Sequence, residues 1–358
     1  MSRLAVALCA LAIGGVAACG GSARPAAPVA EPAVDERTAE KDAKGLVAEI
    51  YRTLDRGKPD SMFSLLSDPL IVFGPRRGDA MTTRADALVA LGKVIDPRAK
   101  RRSVRSSALS VVVSQGGHSA WAFDIVQFEG QPVAVTAVLS NTADLWAVSA
   151  AAVATVPGAA RVKAESARDA VVPPGAGSPG KIAAAAQPVV DEFKKGLVDQ
   201  DSWGTDLMSR SDAIVAGPSA GQVARGKHAI QQMWKARIKA GVREATSGEL
   251  TAAVTADGQL AWLSAPVTRV ADGEDPLPLR VFAVYERDGA AWKLIVLHEA
   301  VAIDEPGSGT PFKKVVPPAP PKPDAKTEPA KVDAAADTAS AKAKPKKKKK
   351  PRPKAAAE

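Results

Sequence analysis

The chain repeats a set of landmarks at a nearly constant spacing. Three pairs recur: Gly74-Pro75 as Gly217-Pro218, Ala120-Trp121 as Ala261-Trp262, and Leu145-Trp146 as Ala291-Trp292. The offsets are 143, 141 and 146 residues. Three landmarks in one order at nearly one offset indicate an internal duplication. We therefore expect two domains of the same fold.

Each copy places helical patterns before a run of strand patterns. In the first copy, apolar residues recur at helical spacing between Leu46 and Leu54, with Thr38 as the expected N-cap, and four strand patterns follow between 108 and 153. The second copy repeats this order from Val189 to Ile303, with Asp288-Gly289 as the expected hairpin turn. This order predicts the α+β class, with helices packed on one face of a curved antiparallel sheet. The expected domains are residues 38–156 and 182–304, joined by a Pro- and Gly-rich linker at 157–181.

The second copy carries several recognisable segments. These are the helix start at Gly226 to Ile230, the strand Leu279 to Phe282, and the strand Trp292 to His298. Together with the Gly-Pro break they resemble the SnoaL-like branch of the nuclear transport factor 2-like superfamily, well over residues 183–303 and weakly over 39–153. The resemblance implies two tandem cone-shaped α+β barrels, each with its helices and sheet enclosing a pocket.

The N-terminus has the pattern of an export signal. Arg3 precedes an apolar run from Leu4 to Val16, which is shorter than the roughly 20 residues that cross a bilayer. Val16-Ala17-Ala18-Cys19 resembles a bacterial lipobox, which implies cleavage after residue 18 and lipidation of Cys19. We therefore expect a signal peptide at 1–18, a flexible tether at 19–37 and a membrane-anchored protein of the cell envelope. In a two-membrane cell it would sit on the outer membrane, facing the periplasm.

The basic charge is concentrated at the C-terminus. The chain has a formal net charge of +9, and residues 313–358 contain 14 Lys and Arg against 5 Asp and Glu, so the rest is neutral. A Pro-, Ala- and Lys-rich segment at 305–358 cannot bury a core and is expected to be disordered. Anionic lipid or an envelope polymer is the expected partner of its basic cluster. Because that cluster has no aromatic residues for bases to stack on, nucleic-acid binding is not expected. The cluster consists of Lys346, Lys347, Lys348, Lys349, Lys350 and Arg352.

The candidate ligand-binding residues lie in the second copy. When the copies are aligned on Trp146 and Trp292, Arg280, Tyr285 and His298 fall on Ala134, Leu139 and Ala152. The second copy keeps polar groups that the first lacks, so we expect a pocket in the second. His298 is a candidate general base, Tyr285 a candidate proton donor and Arg280 a candidate anion ligand. Trp234 is expected at the pocket mouth. Each also has a purely structural interpretation, including an ion pair between Arg280 and Glu299.

Other chemistries find little support in the sequence. Gly217 to Gly221 matches the Gly-x-Ser-x-Gly pattern of hydrolases, but the helix that must follow at once is displaced by five residues. The three histidines are scattered without metal-ligand spacing, so no metal or cofactor is expected. The favoured function is non-enzymatic binding of a small apolar ligand, or scaffolding, through the second domain. The alternatives are an isomerase-, cyclase- or dehydratase-like enzyme using His298 and Tyr285, and an envelope tether.

Overall fold

The computed structural model describes residues 35–75, 79–94, 103–128, 130–143, 145–168 and 180–301. The predicted signal peptide, Cys19, most of the predicted tether and the predicted tail lie outside these residues. We call residues 35–156 the first half and residues 180–301 the second half. No helix in the described part of the chain is long and apolar enough to cross a membrane.

The first half begins with helices and continues into strands. Its helices are α1 (Glu36–Arg56), a 3₁₀ helix (Pro59–Leu65) and α2 (Arg84–Val94). Its strands are β1 (Leu66–Phe73), β2 (Ala80–Met81), β3 (Val104–Ser106), β4 (Ser110–Val113), β5 (Ser119–Phe128), β6 (Gln131–Thr142) and β7 (Leu145–Thr155). Helix α3 (Ala159–Arg168) follows within the predicted linker, and its Val162 packs on the core of the second half.

The second half repeats the sequence of elements. A 3₁₀ turn (Ala184–Ala186) leads into α4 (Gln187–Val198) and α5 (Gln200–Met208), and α6 (Gly226–Lys239) comes later. Its strands are β8 (Ile214–Ala216), β9 (Val223–Arg225), β10 (Arg243–Thr246), β11 (Thr251–Val254), β12 (Leu260–Val270), β13 (Leu277–Asp288) and β14 (Ala291–Val301). The expected turn at Asp288-Gly289 joins β13 to β14, with Gly289 at a φ of 62°.

The two sheets have seven strands each and share one strand order. The first runs β2-β1-β7-β6-β5, with β3 and β4 both paired to β5; the second runs β9-β8-β14-β13-β12, with β10 and β11 both paired to β12. The expected α+β class is confirmed. One detail differs from a purely antiparallel sheet, because β1 pairs with β7 and β8 with β14 in parallel.

The first helix begins earlier than the expected cap at Thr38. Asp35 is the N-cap, accepting from the backbone N–H of Arg37 at 3.3 Å, while the Thr38 hydroxyl donates to its other carboxylate oxygen at 2.7 Å. Asp35 and Thr38 therefore act together, and a cap at residue 38 alone was wrong. The helix ends at Arg56, and its C-cap is Gly57, whose φ of 66° suits glycine and whose N–H bonds to the carbonyl of Leu54.

Each sheet buries both of its faces. One face packs on the helices of its own half, and the other face packs on the sheet of the other half. Along β13, Val281, Ala283 and Tyr285 face the helices, whereas Phe282 and Val284 face the first sheet, as the period of two requires. The two sheets meet through an apolar layer that includes Trp262 stacked on Phe282. We call this layer the sheet–sheet interface.

Candidate functional site

The space between helices and sheet in the first half is open. A cavity of about 550 Å³ lies there, within the range of small-molecule sites. Its walls come from α1, the 3₁₀ helix, α2 and the inner face of the sheet, and most lining side chains are aliphatic. Its described polar side chains are Tyr51, Asp79, Asp86 and Asp124.

Asp124 and Tyr51 form a hydrogen-bonded pair on the cavity wall. Strand β5 directs Asp124 inward, where its side chain is buried. The Tyr51 hydroxyl, carried by α1, donates to one carboxylate oxygen at 3.1 Å. The backbone N–H of Ala108 donates to the other oxygen at 3.0 Å. The carboxylate is thus fixed in place from two sides.

The phenol of Tyr51 stays protonated in this setting. Burial raises its pKa well above the ordinary value of a tyrosine, and the neighbouring charge and hydrogen bond of Asp124 raise the pKa further. A phenol held neutral beside a carboxylate is a hydrogen-bond donor at neutral pH. The pair therefore presents a fixed polar group at the edge of an apolar space.

The corresponding space in the second half is filled. Trp203 from α5, Trp234 from α6 and Tyr285 from β13 are buried together in its core. Gly196 on α4 makes room for Trp203, because a Cβ at that position would lie 1.7 Å from the indole nitrogen. The indole also packs against Phe193, with ring centroids 5.2 Å apart. Large aromatic rings thus occupy the volume that is a cavity in the first half.

A buried ionic cluster fills the rest of this space. It consists of Arg237, Glu244, Arg269 and Glu299. Arg237 donates to Glu299 at 2.6 Å and to Glu244 at 2.9 Å, and Arg269 pairs with both carboxylates. Burial alone would raise the pKa of Glu299, but the two guanidinium charges outweigh burial and lower the pKa to about 2.

The cavity of the first half replaces this cluster with apolar residues. At the 141-residue offset of the Ala-Trp landmark, Arg269 falls on Phe128; at the 146-residue offset, Glu299 falls on Val153. Phe128 and Val153 both line the cavity. The predicted pairing of Glu299 with Arg280 does not occur among the described contacts of Glu299, which faces Arg237 and Arg269 instead.

His298 lies on the opposite face of the sheet from Tyr285. Its ring is buried in the sheet–sheet interface, with Nδ1 2.9 Å from the Thr136 hydroxyl and the ring edge-on to Phe123 at 6.0 Å. Burial lowers the pKa of His298 to about 4, so the imidazole is neutral at pH 7. Because β13 and β14 alternate their faces, the expected cone lined by both His298 and Tyr285 is not formed.

Arg280 also points to the other half rather than into its own cone. Its guanidinium donates to the carbonyl oxygens of Gly74 and Asp79, the second at 3.4 Å. Gly74 and Asp79 both line the cavity of the first half. Contrary to expectation, Arg280 therefore does not line the second cone as an anion ligand. It holds the wall of the neighbouring cavity in place, and we call this contact the clamp.

A second arginine of the second half supports the same cavity. Arg225, at the end of β9, donates to the carbonyl of Ala108 and the hydroxyl of Ser110. Ala108 is the residue whose N–H fixes Asp124. The second half therefore braces the backbone that positions the carboxylate of the first.

Trp234 does not stand at a pocket mouth. It is buried, and its indole N–H donates to the carbonyl of Gln200 at 2.8 Å. Sequence reasoning missed Tyr51 and Asp124 altogether. Asp124 was detectable as the one acidic residue within the apolar strand pattern of 119–128. No group of three or more His, Cys, Asp or Glu is placed to hold a metal ion in the part of the chain described.

Comparison with known proteins supports the family resemblance in the second half. The model of the SnoaL-like domain matches residues 203–304. No protein of curated function matches the chain. Similar solved structures include an NTF2-like protein of unknown function from Pseudomonas putida KT2440, with 11% identity, a TM-score of 0.31, and coverage of 34% of this chain and 89% of that one. An NTF2-like protein from Cytophaga hutchinsonii has 14% identity, a TM-score of 0.28, and coverage of 34% and 100%.

Proposed function

We propose that the chain binds a small, largely apolar molecule in the cavity of its first half. The observation that carries this proposal is the contrast between a 550 Å³ cavity with one fixed polar pair and a neighbouring cone filled by aromatic rings. Apolar walls with a few placed polar groups are typical of small-molecule sites. The binding role expected for the second half is thereby transferred to the first, and the second serves as its scaffold.

A fluorescent apolar probe tests the proposal. N-phenyl-1-naphthylamine should bind the full-length protein with a fluorescence increase that saturates at one probe per chain. Leu139 is buried and lines the cavity, so Leu139→Trp should fill part of the space and weaken probe binding by about tenfold or more. Leu145, 74% exposed on β7, supplies the control Leu145→Trp, which should bind as the unaltered protein does. Equal binding by both variants would rule the cavity out.

One observation favours a second candidate function, a proton-transferring enzyme of the isomerase kind. Asp124 and Tyr51 place a carboxylate and a protonated phenol 3.1 Å apart at an apolar cavity, which suits removal of a proton beside a carbonyl. Incubation with a β,γ-unsaturated cyclic ketone, followed in the ultraviolet, tests it. Turnover that Asp124→Asn abolishes would establish the enzyme; absence of turnover with intact probe binding supports the binding role.

The proposed location is the cell envelope. It is supported by the lipobox-like segment ending at Cys19 and by the basic run at 346–352. A fatty-acid analogue should label the protein in cells and should fail to label Cys19→Ala. A chain truncated after residue 341 should pellet less with envelope fragments than the full chain, and salt should weaken the difference. Pelleting that neither truncation nor salt changes would exclude the basic tail as an envelope contact.

A further inference from the structure

The described polar side chains of the cavity are mostly hydrogen-bond acceptors. Of the described side chains that line it, only Tyr51 carries an N–H or O–H group, and the remaining polar ones are the carboxylates of Asp79, Asp86 and Asp124. The Tyr51 hydroxyl is already donated to Asp124. The described side chains of the wall therefore present more hydrogen-bond acceptors than donors, and Asp124 is the acceptor that is fixed in position.

A ligand with an anionic group would be poorly accommodated. To receive a hydrogen bond from one of the described lining side chains, its carboxylate or phosphate would have to displace Tyr51 from Asp124. Two negative charges would then lie close together in an apolar space, where their repulsion is weakly screened. A ligand hydroxyl or amine meets the opposite situation, because it can donate to a carboxylate held in place by Tyr51 and Ala108.

Two arginines of the second half contact the cavity wall within the described part of the chain. Arg225 and Arg280 are not among the side chains that line the cavity. The Arg225 guanidinium donates to Ala108 and Ser110, and the Arg280 guanidinium donates to the backbone of Gly74 and Asp79. These bonds direct both guanidinium groups at atoms of the wall itself, and the Arg225 charge also interacts with the carboxylate of Asp124.

From this donor and acceptor inventory we infer that the cavity selects apolar molecules whose polar end donates a hydrogen bond, namely alcohols and amines, and excludes carboxylates and phosphates. The inference rests on the proposed function and specifies its ligand class. Asp124 is the residue that sets the selectivity, with Tyr51 and Ala108 holding its carboxylate in place.

Displacement of N-phenyl-1-naphthylamine by three ten-carbon ligands tests the inference on the unaltered protein. Decylamine, 1-decanol and decanoate share one chain and differ in the polar end. At pH 7.5 and below micellar concentrations, decylamine and decanol should displace half of the probe at concentrations at least about tenfold lower than decanoate. Displacement by decanoate at an equal or lower concentration would overturn the inference.

A charge-neutral variant assigns the selectivity to one residue. Asp124→Asn keeps the side-chain shape and an oxygen for Tyr51, but it removes the charge and adds a donor. The advantage of decylamine over decanoate should shrink to about threefold or less. The matched control is Asp257→Asn, because Asp257 accepts from Ser119 at 2.7 Å and does not line the cavity. An unchanged ratio in a folded Asp124→Asn protein would overturn the role of Asp124.

The outcomes separate the two levels of the proposal. If the probe fails to bind the unaltered protein, the proposed function fails. If the probe binds and all three ligands displace it alike, the cavity stands and only the ligand class is wrong. Should Asp124→Asn lose its circular-dichroism spectrum, the comparison of the three ligands on the unaltered protein still decides the inference.

Discussion

The two halves share a strand order and have opposite interiors. In the second half, the space between helices and sheet holds Trp203, Trp234 and Tyr285 together with a buried cluster of two arginines and two glutamates. In the first half, the same space is a cavity with aliphatic walls. One backbone plan thus serves either as a packed core or as a container, and the side chains that face the helices decide which.

The two interiors also suit different roles, one for stability and the other for ligand binding. A filled cone gains free energy from each aromatic ring that leaves water, whereas an open cavity forgoes that gain. The halves are joined through the sheet–sheet interface, where Trp121, Trp262 and Phe282 are buried. We therefore expect the second half to stabilise the molecule and the first half to bind the ligand.

The largest expected effect comes from truncating a buried side chain on the short helix that follows the long helix in each half. Trp203→Ala should empty part of the filled cone and lower the free energy of unfolding by about 3–5 kcal/mol. Met62 is buried in the 3₁₀ helix of the first half but already borders open space. Met62→Ala should cost no more than about 2 kcal/mol. Urea titrations of both variants measure the difference, and equal losses would contradict a filled second cone.

The sheet–sheet interface should weaken in mild acid through His298. The pKa of this imidazole is about 4 in the folded protein and about 6.5 when it is exposed, so between these values only the unfolded chain takes up the proton. The contribution of His298 to the free energy of unfolding should therefore be fully present above pH 6.5. It should fall toward pH 4, by on the order of 3 kcal/mol. Urea midpoints at pH 7, 6, 5 and 4.5 measure this loss.

The variant His298→Gln isolates that contribution from other acid-sensitive groups. Glutamine can still hydrogen-bond to Thr136 but does not titrate, so the variant should lose less stability than the unaltered protein between pH 6.5 and 4. His228, exposed on α6, provides the control His228→Gln, which should keep the original pH dependence. A His298→Gln protein with the full acid sensitivity would show that the interface is not the titrating element.

The sequence was sufficient for the architecture because the architecture rests on repeated features. Gly-Pro breaks, paired tryptophans and period-two strands recur in both copies. Local patterns of this kind can be recognised in a sequence without knowing which residues are in contact. The N-cap at Asp35 and the strands β2 and β9, only two and three residues long, were missed because short elements leave little pattern. Parallel pairing of β1 with β7 depends on contacts distant in sequence.

The site is harder to predict than the fold, because a polar residue on a strand can face either the cone or the other sheet. His298 and Arg280 differ between the copies, and that difference reflects the sheet–sheet interface as much as it would a pocket. A strand pattern shows which residues share a face but not which face meets the helices. The void itself arises from what is missing in the first half, such as Leu139 in place of Tyr285, and a missing ring leaves no motif.

Removing the clamp at Arg280 gives the smallest expected effect and tests whether the second half shapes the cavity of the first. Arg280→Met keeps the aliphatic stem beside Phe73 but leaves the carbonyl of Gly74 without its charged donor. A hydrogen bond from a charged group is worth about 1.5–3 kcal/mol, and only part of this loss is expected to reach the cavity. Affinity for N-phenyl-1-naphthylamine should fall about threefold to tenfold, because Gly74 and Asp79 line the cavity.

The control lies on the same strand. The Arg287 side chain is exposed on β13 and donates to the nearby carbonyl of Gly289, so Arg287→Met should leave probe affinity unchanged. If Arg280→Met weakens the probe while Arg287→Met does not, the second half acts on the first cavity through this clamp. If both variants bind as the unaltered protein does, the cavity is independent of its neighbour. Arg280 would then serve only to join the halves.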